Sequence, residues 1–173
     1  GHACALIQDE HRSLGAVVVT MQRRLAEARS GAEGLDHEAF GRMLRYIHDY
    51  PEQRHHPREQ SSLHRLLLAR TERGNALVQT LEAQHGTEHE LVATLQAAWQ
   101  ACTAGAHGTD AALAQLDDAL AALADHVREH LQLEEQQLMP LALEVLKDED
   151  WKEVAAAFEG ADPGYGEWTD MEF

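Results

Sequence analysis

The chain has 173 residues, of which 44% are hydrophobic and 25% charged, values of one globular domain with a buried core rather than of a disordered chain. Fourteen Lys and Arg against thirty Asp and Glu give a net charge of −16, and aromatic residues make up only 5%. That balance repels phosphate backbones and anionic lipid and supplies no stacking platform, so nucleic-acid and membrane partners are excluded from the expected functions.

The first predicted helix runs from Ala3 to Arg29, with Ile7, His11, Leu14, Val18, Met21, Leu25 and Ala28 recurring at three- and four-residue steps. Ser30 to Gly34 ends it, and Asp36 is the expected N-cap of a second helix carrying Phe40, Met43, Leu44 and Ile47. Pro51 and Pro57 interrupt that pattern and predict a kink or a restart; the stripe resumes through His55, Glu59, Leu63, Leu66 and Leu67 and stops near Gly74. A third helix is expected over about Asn75 to Thr103, with Val78, Leu81, His85, His89, Val92, Leu95, Trp99 and Cys102 inward. After a Gly105–Gly108 loop, Thr109 or Asp110 caps a fourth helix whose stripe carries Leu113, Leu116, Leu120, Leu123, Val127, His130, Glu134, Leu138 and Leu141. Asp150 and Glu153 read as the capping box of a short fifth helix through Trp151, Val154 and Phe158. No segment alternates with the period of a strand, so the expected fold is all-α: an up-down-up-down antiparallel four-helix bundle over residues 1–160. An acidic, Gly-rich tail follows over 161–173, with Tyr165, Trp168 and Phe173 either docked on the bundle or frayed. Cys4 and Cys102 form neither a disulfide framework nor a thiolate zinc site, no apolar run reaches membrane-spanning length, and a cytoplasmic location is expected.

Twelve histidines are the one oddity of composition. Each predicted long helix interrupts its apolar stripe with His, and two add Glu four residues later: His11; His55 and Glu59; His85 and His89; His130 and Glu134. Residues four apart share a helix face, so these side chains converge between the helices. Buried polar groups without partners cost roughly 1–3 kcal/mol each, which a bound metal would offset. Two octahedral ions offer twelve positions; five His, two bridging carboxylates and one bridging oxide or hydroxide fill eleven and leave one open for a small ligand. Imidazole and carboxylate without thiolate suit iron or manganese better than structural zinc, although manganese and zinc remain possible substitutes. A faint repeat pairs Glu10-His11 with Glu88-His89, and His55-x-x-x-Glu59 with His130-x-x-x-Glu134, leaving His85 as the asymmetric extra.

The series His11, His55-His56-Pro57-Arg58-Glu59, His85-x-x-x-His89 and His130-x-x-x-Glu134-Glu135, with the Tyr46 to Glu59 segment, resembles the hemerythrin and HHE cation-binding family over about residues 5 to 145. The resemblance implies a non-haem di-iron centre, with His85, His89 and His130 on one iron, His11 and His55 on the other, and Glu59 as a bridge. The second bridge is Glu134 by stripe and repeat, or Glu135 by the spacing of the oxygen-carrying members. His126 either donates to a bound ligand or serves as a spare metal ligand, or packs at the edge of the stripe. Leu14, Val18, Val127 and Leu131 are expected to line the open position; Gly15 either opens a path to it or permits close helix packing. His2, His37, His48, His64 and His107 are read as solvated, His56 as a flanking group, and Glu10 and Glu88 as solvated or supporting neighbouring His. The expected function is binding of dioxygen or nitric oxide, or sensing of redox or iron state. The alternatives are a di-iron enzyme, peroxide-consuming or of the iron–sulfur repair kind, and an iron-responsive interaction module.

Overall fold

The computed structural model describes residues 1–32, 34–104 and 109–159. The Gly105–Gly108 loop, His107 and the tail with Tyr165, Trp168 and Phe173 lie outside the described residues. Helix α1 (His2–Ser30) ends on Gly31, whose φ of 76° places it in the left-handed region and lets its N–H reach the Ala28 carbonyl. Asp36 caps α2 (His37–Tyr50), its carboxylate accepting from the Ala39 N–H at 3.0 Å.

Neither proline breaks the helical backbone that follows, so the chain does not restart; the interruption takes the form of π turns. Pro51 opens a π turn (Pro51–His55), α3 (His56–Glu59) carries Pro57 in its first turn, and a second π turn (Gln60–His64) leads into α4 (Arg65–Arg70). The backbone stays right-handed helical at Tyr50, Pro51, His55, His56, Glu59 and Gln60. A π turn bonds residue i to i+5, so it accommodates a residue that has no N–H and would crowd the carbonyl of an ordinary turn.

A 3₁₀ turn (Glu72–Gly74) begins the return through α5 (Asn75–Thr103). Thr109 caps α6 (Asp110–Leu133), accepting from the Ala112 N–H at 3.2 Å. A third π turn (Glu134–Leu138) joins α6 to α7 (Met139–Val145). Helix α8 (Asp148–Phe158) starts earlier than its sequence signal suggested. Asp150 is not its N-cap but lies inside the first turn, where its carboxylate reaches back to the Lys147 N–H at 2.9 Å and takes both Nε and Nη2 of Arg70 at 2.8 and 2.9 Å. The pair fastens α8 to the end of α4.

Helix α1 packs on α2 and α6, and α5 packs on α2 and α6, which is the antiparallel up-down-up-down bundle expected; α8 lies across α1 and α3. The buried apolar side chains form two clusters. One gathers Leu14, Met21, Phe40, Ile47, Leu95 and Leu120, the other Ile7, Leu63, Leu67, Leu81, Leu138 and Phe158. The stations singled out in the sequence fall between them: His11 between Ile7 and Leu14, His55 and Glu59 between Ile47 and Leu63, His130 between Leu120 and Leu138. A polar layer is thus walled above and below by hydrocarbon. Among the described residues no helix is long and apolar enough to cross a membrane, and Cys4 and Cys102 are free thiols.

Leu120 is fully buried in the first cluster, away from the polar layer. Leu120→Ala is expected to lower stability by about 2–5 kcal/mol in urea denaturation, leaving the metal content of the folded protein unchanged.

Candidate metal centre

The π turns place the polar layer. His55 closes the first, His64 closes the second and Glu134 opens the third. His11, His55, Glu59 and Glu134 are all buried and offer ligand atoms within 4.8 Å of one another. Glu59, His85, His130 and Glu134 form a second such set, so both carboxylates belong to both sets. His56 joins His85 and His130 in a third.

The contacts inside the layer are short: His11 Nε2 to Glu134 Oε2 2.8 Å, His130 Nε2 to Glu134 Oε1 2.7 Å, His55 Nε2 to Glu59 Oε2 3.1 Å, and the Nε2 atoms of His11 and His55 3.3 Å apart. Yet both oxygens of Glu59 and of Glu134, and Nε2 of His85 and His130, are buried without a hydrogen bond. Ligand atoms this close, several of them without a hydrogen bond, lie within reach of a common ion. Imidazole and carboxylate donors arranged in this way fit a cation, and they fit two because the acids are shared.

Supporting contacts fix the rings. The Nδ1–H of His130 donates to Gln84 Oε1 at 2.7 Å, which leaves the lone pair of Nε2 facing the layer. Glu10 lies 3.7 Å from His55 Nδ1 and accepts from the Tyr50 hydroxyl and, at 3.4 Å, from Arg58. Phe158 of α8 sets its ring against His55 at 5.9 Å between centroids. Glu88 pairs with His56 Nε2 at 3.2 Å.

Several expectations change here. His89 does not reach the layer: its ring is 58% exposed, with Nδ1 3.0 Å from Glu52 Oε2. The stripe of α5 runs through Val78, Leu81, Glu88, Val92 and Leu95, and alternate steps of three and four put Glu88 inward, about 100° from its neighbour His89. His64, read as solvated, is 1% exposed, with Nε2 3.0 Å from Glu59 Oε1. Five residues along a regular α-helix turn about 500°, which would carry His64 far from the face of Glu59; the i→i+5 turn between them restores the alignment. His56 is not merely flanking, since its ring stacks on His85 at 3.5 Å. Of the two candidate bridges, Glu134 is buried in both sets, whereas Glu135 is half exposed and 3.8 Å from His11 Nδ1. His126 is turned away, its Nε2–H donating to the Gln84 carbonyl at 2.9 Å. Pro51 and Pro57 inside a helical pattern were the signal that the register shifts, and hence that His64 belonged with Glu59.

Gly15, Val18, Val127 and Leu131 line a cleft of about 380 Å³ between α1 and α6 that also touches His11 and whose walls include Arg12, Gln22, Arg128, Gln132 and Glu135. Leu14 is buried beside it in the core. A Cβ on Gly15 would meet nothing within 4 Å, so close helix packing does not account for this glycine.

A family model described as Hemerythrin HHE cation binding domain matches residues 2–158. The chain belongs to that family, and it is a metal-binding protein of the all-α, hemerythrin-like class. Comparison with curated proteins and with solved structures finds no match.

The layer also fixes how the metal-free protein responds to pH. Burial depresses the basicity of His55, His64 and His130, but the carboxylates of Glu10, Glu59 and Glu134 close beside them more than offset it and leave all three above their ordinary value of 6.5. Burial pushes Glu59 up, but His55 and His64 hold it well below the usual carboxylate range. His85 goes the other way: burial and the neighbouring His56 and His130 bring it down to about 3. Groups raised on folding stabilise fully below their unfolded pKa and lose that contribution as pH rises through the folded one. The metal-free protein is therefore expected to lose stability as pH rises above about 6.5. Acid below that value also destabilises it, through His85 and then Glu59. Thermal unfolding of chelated protein across pH 5 to 9 checks this; stability rising steadily with pH would contradict the arrangement.

Proposed function

We propose that the layer is a non-haem di-iron centre that binds a small diatomic ligand, dioxygen or nitric oxide, or reports redox or iron state through it. In this reading His11 and His55 would hold one ion and His85 and His130 the other, with Glu59 and Glu134 shared between them; His56, paired with Glu88, stands beside His85 rather than in the set. The observation that carries the reading is the pair of four-donor sets sharing two buried acids whose oxygens face imidazole nitrogens. Four terminal imidazoles and two bridging acids fill eight of twelve positions, and a bridging oxide or hydroxide would bring the count to ten, one fewer than the eleven expected from sequence because His89 does not reach the layer.

A bound iron pair supplies the electrons and open positions that reversible binding of such a ligand needs. The protein's part is access, exclusion of water and control of protons. The cleft between α1 and α6 brings a small neutral molecule to His11, on the side of the first donor set, past the apolar side chains of Val18, Val127 and Leu131. Gln84 holds the His130 proton on Nδ1, and Glu10 faces Nδ1 of His55, so neither ring presents an N–H to the centre from that edge. His126, with its Nε2–H already donated to a carbonyl, is not poised to transfer a proton at the centre.

Metal analysis of protein expressed in iron-supplemented medium is expected to find two ions per chain, and anaerobic reduction followed by air to produce a reversible visible charge-transfer band. Glu59→Gln or His85→Ala should lose at least one ion, whereas His89→Ala keeps both. Retention of both ions by Glu59→Gln would rule the assignment out. Gly15→Leu fills open space at the wall of the cleft between α1 and α6; it should slow ligand association by about tenfold or more, measured by flash photolysis or rapid mixing, without altering metal content. Because metal binding needs neutral imidazoles, iron affinity should begin to fall above pH 6.5 as acid is added, earlier than ordinary histidines would require.

A further inference from the structure

The opposite flank of the bundle carries a second cleft, of about 350 Å³, between the Pro51 π turn with its adjoining helices and α5. Its character differs from that of the cleft between α1 and α6: its walls include Glu52, His56, His85, Glu88 and His89. These donors are graded by depth. At the mouth, His89 Nδ1 and Glu52 Oε2 sit 3.0 Å apart with side chains 58% and 54% exposed. Further in, His56 Nε2 and Glu88 Oε2 sit 3.2 Å apart at 12% and 10% exposure. The His56 ring lies flat on His85 at 3.5 Å, and His85, whose buried Nε2 has no partner, belongs to the four-donor set with Glu59, His130 and Glu134.

We propose that this cleft is the route by which divalent metal reaches the centre, with the His89–Glu52 pair capturing the hydrated ion and the His56–Glu88 pair relaying it to His85. The inference rests on the di-metal reading of the buried layer. Each station offers one imidazole and one carboxylate, the donor types of the centre itself, so a cation exchanges its waters one at a time for ligands of a kind it will keep. The cleft on the other flank offers a cation less: it has the single carboxylate of Glu135, and the guanidinium groups of Arg12 and Arg128 on its walls repel positive charge. The net charge of −16 draws cations toward the surface, and paired donors at the mouth concentrate them there.

Gly86 lies on the wall of this cleft, and a Cβ on it would meet nothing within 4 Å. Gly86→Leu therefore plugs the passage while leaving every donor in place, and the double variant His89→Ala/Glu52→Gln removes the capture pair. Metal-free full-length protein is mixed with Co²⁺, uptake is followed by visible absorption, and final content is measured by elemental analysis. Both variants are expected to take up Co²⁺ at least about tenfold more slowly, within the range by which local charge governs association, and to reach the wild-type content. Gly15→Leu, on the other flank, should load at the wild-type rate. Unchanged uptake rates in both variants overturn the route, as does slowing by Gly15→Leu to the same extent. A reduced final content in His89→Ala/Glu52→Gln also overturns it, because those groups would then be permanent ligands. Wild-type protein that takes up no Co²⁺ at all would overturn the di-metal reading itself, a result distinct from normal loading at an unaltered rate.

Discussion

Carboxylates and imidazoles crowded between two apolar clusters, with several of their atoms lacking a hydrogen bond, are the constraint on which the rest of the molecule depends. Glu59 and Glu134 are the extreme cases, with no exposed surface worth the name and no hydrogen bond on any of their oxygens. Hydrocarbon alone would not tolerate such groups. The neighbouring rings compensate in the metal-free state by holding protons above their usual range, and cations would compensate more fully. Much else in the chain serves to hold those side chains at one level: Gln84 on His130, Glu10 with Tyr50 and Arg58 beside His55, Phe158 against the same ring.

How far this was legible follows from which physical signals are local. Helix number, direction and core stripes were readable because a 3.6-residue period needs only the sequence, and the stripes of α1 and α6 were right to the residue at His11, Val127 and His130. The caps at Asp36 and Thr109 were readable for the same reason. Four of the six imidazole and acid positions in the two four-donor sets, His11, His85, His130 and Glu134, follow helices whose register is regular up to the donor. The failures share one cause, which is register. On α5, stepping from His85 to His89 instead of to Glu88 turned an exposed ring inward. After Pro57, a regular wheel sent His64 to solvent, whereas a π turn returned it to Glu59. A π turn has no reliable residue signature; two prolines inside an otherwise helical pattern were the only trace of it.

The two clefts give the bundle a division of labour across its width. Neutral, poorly hydrated molecules and charged, strongly hydrated ions have opposite requirements for a passage, and one opening cannot serve both well. Gly15 and its valine and leucine neighbours make one kind of wall, and Glu52, His56, Glu88 and His89 the other. The histidine that spacing nominated as a ligand thus has a position that makes sense on its own terms, at the rim of the polar passage.

The three π turns bear on how this chain tolerates change in length. Each holds one more residue than an α turn spanning the same rise, and each sits against a donor. Deleting a single residue from any of them would swing the following side chains by about 100° around the axis, exchanging the inward acids and imidazoles for their outward neighbours while the helix itself survived. The same deletion in the connection around Ala32 would shorten a loop and leave the register of every rod intact. Indels in these rods are therefore lesions of chemistry before they are lesions of folding.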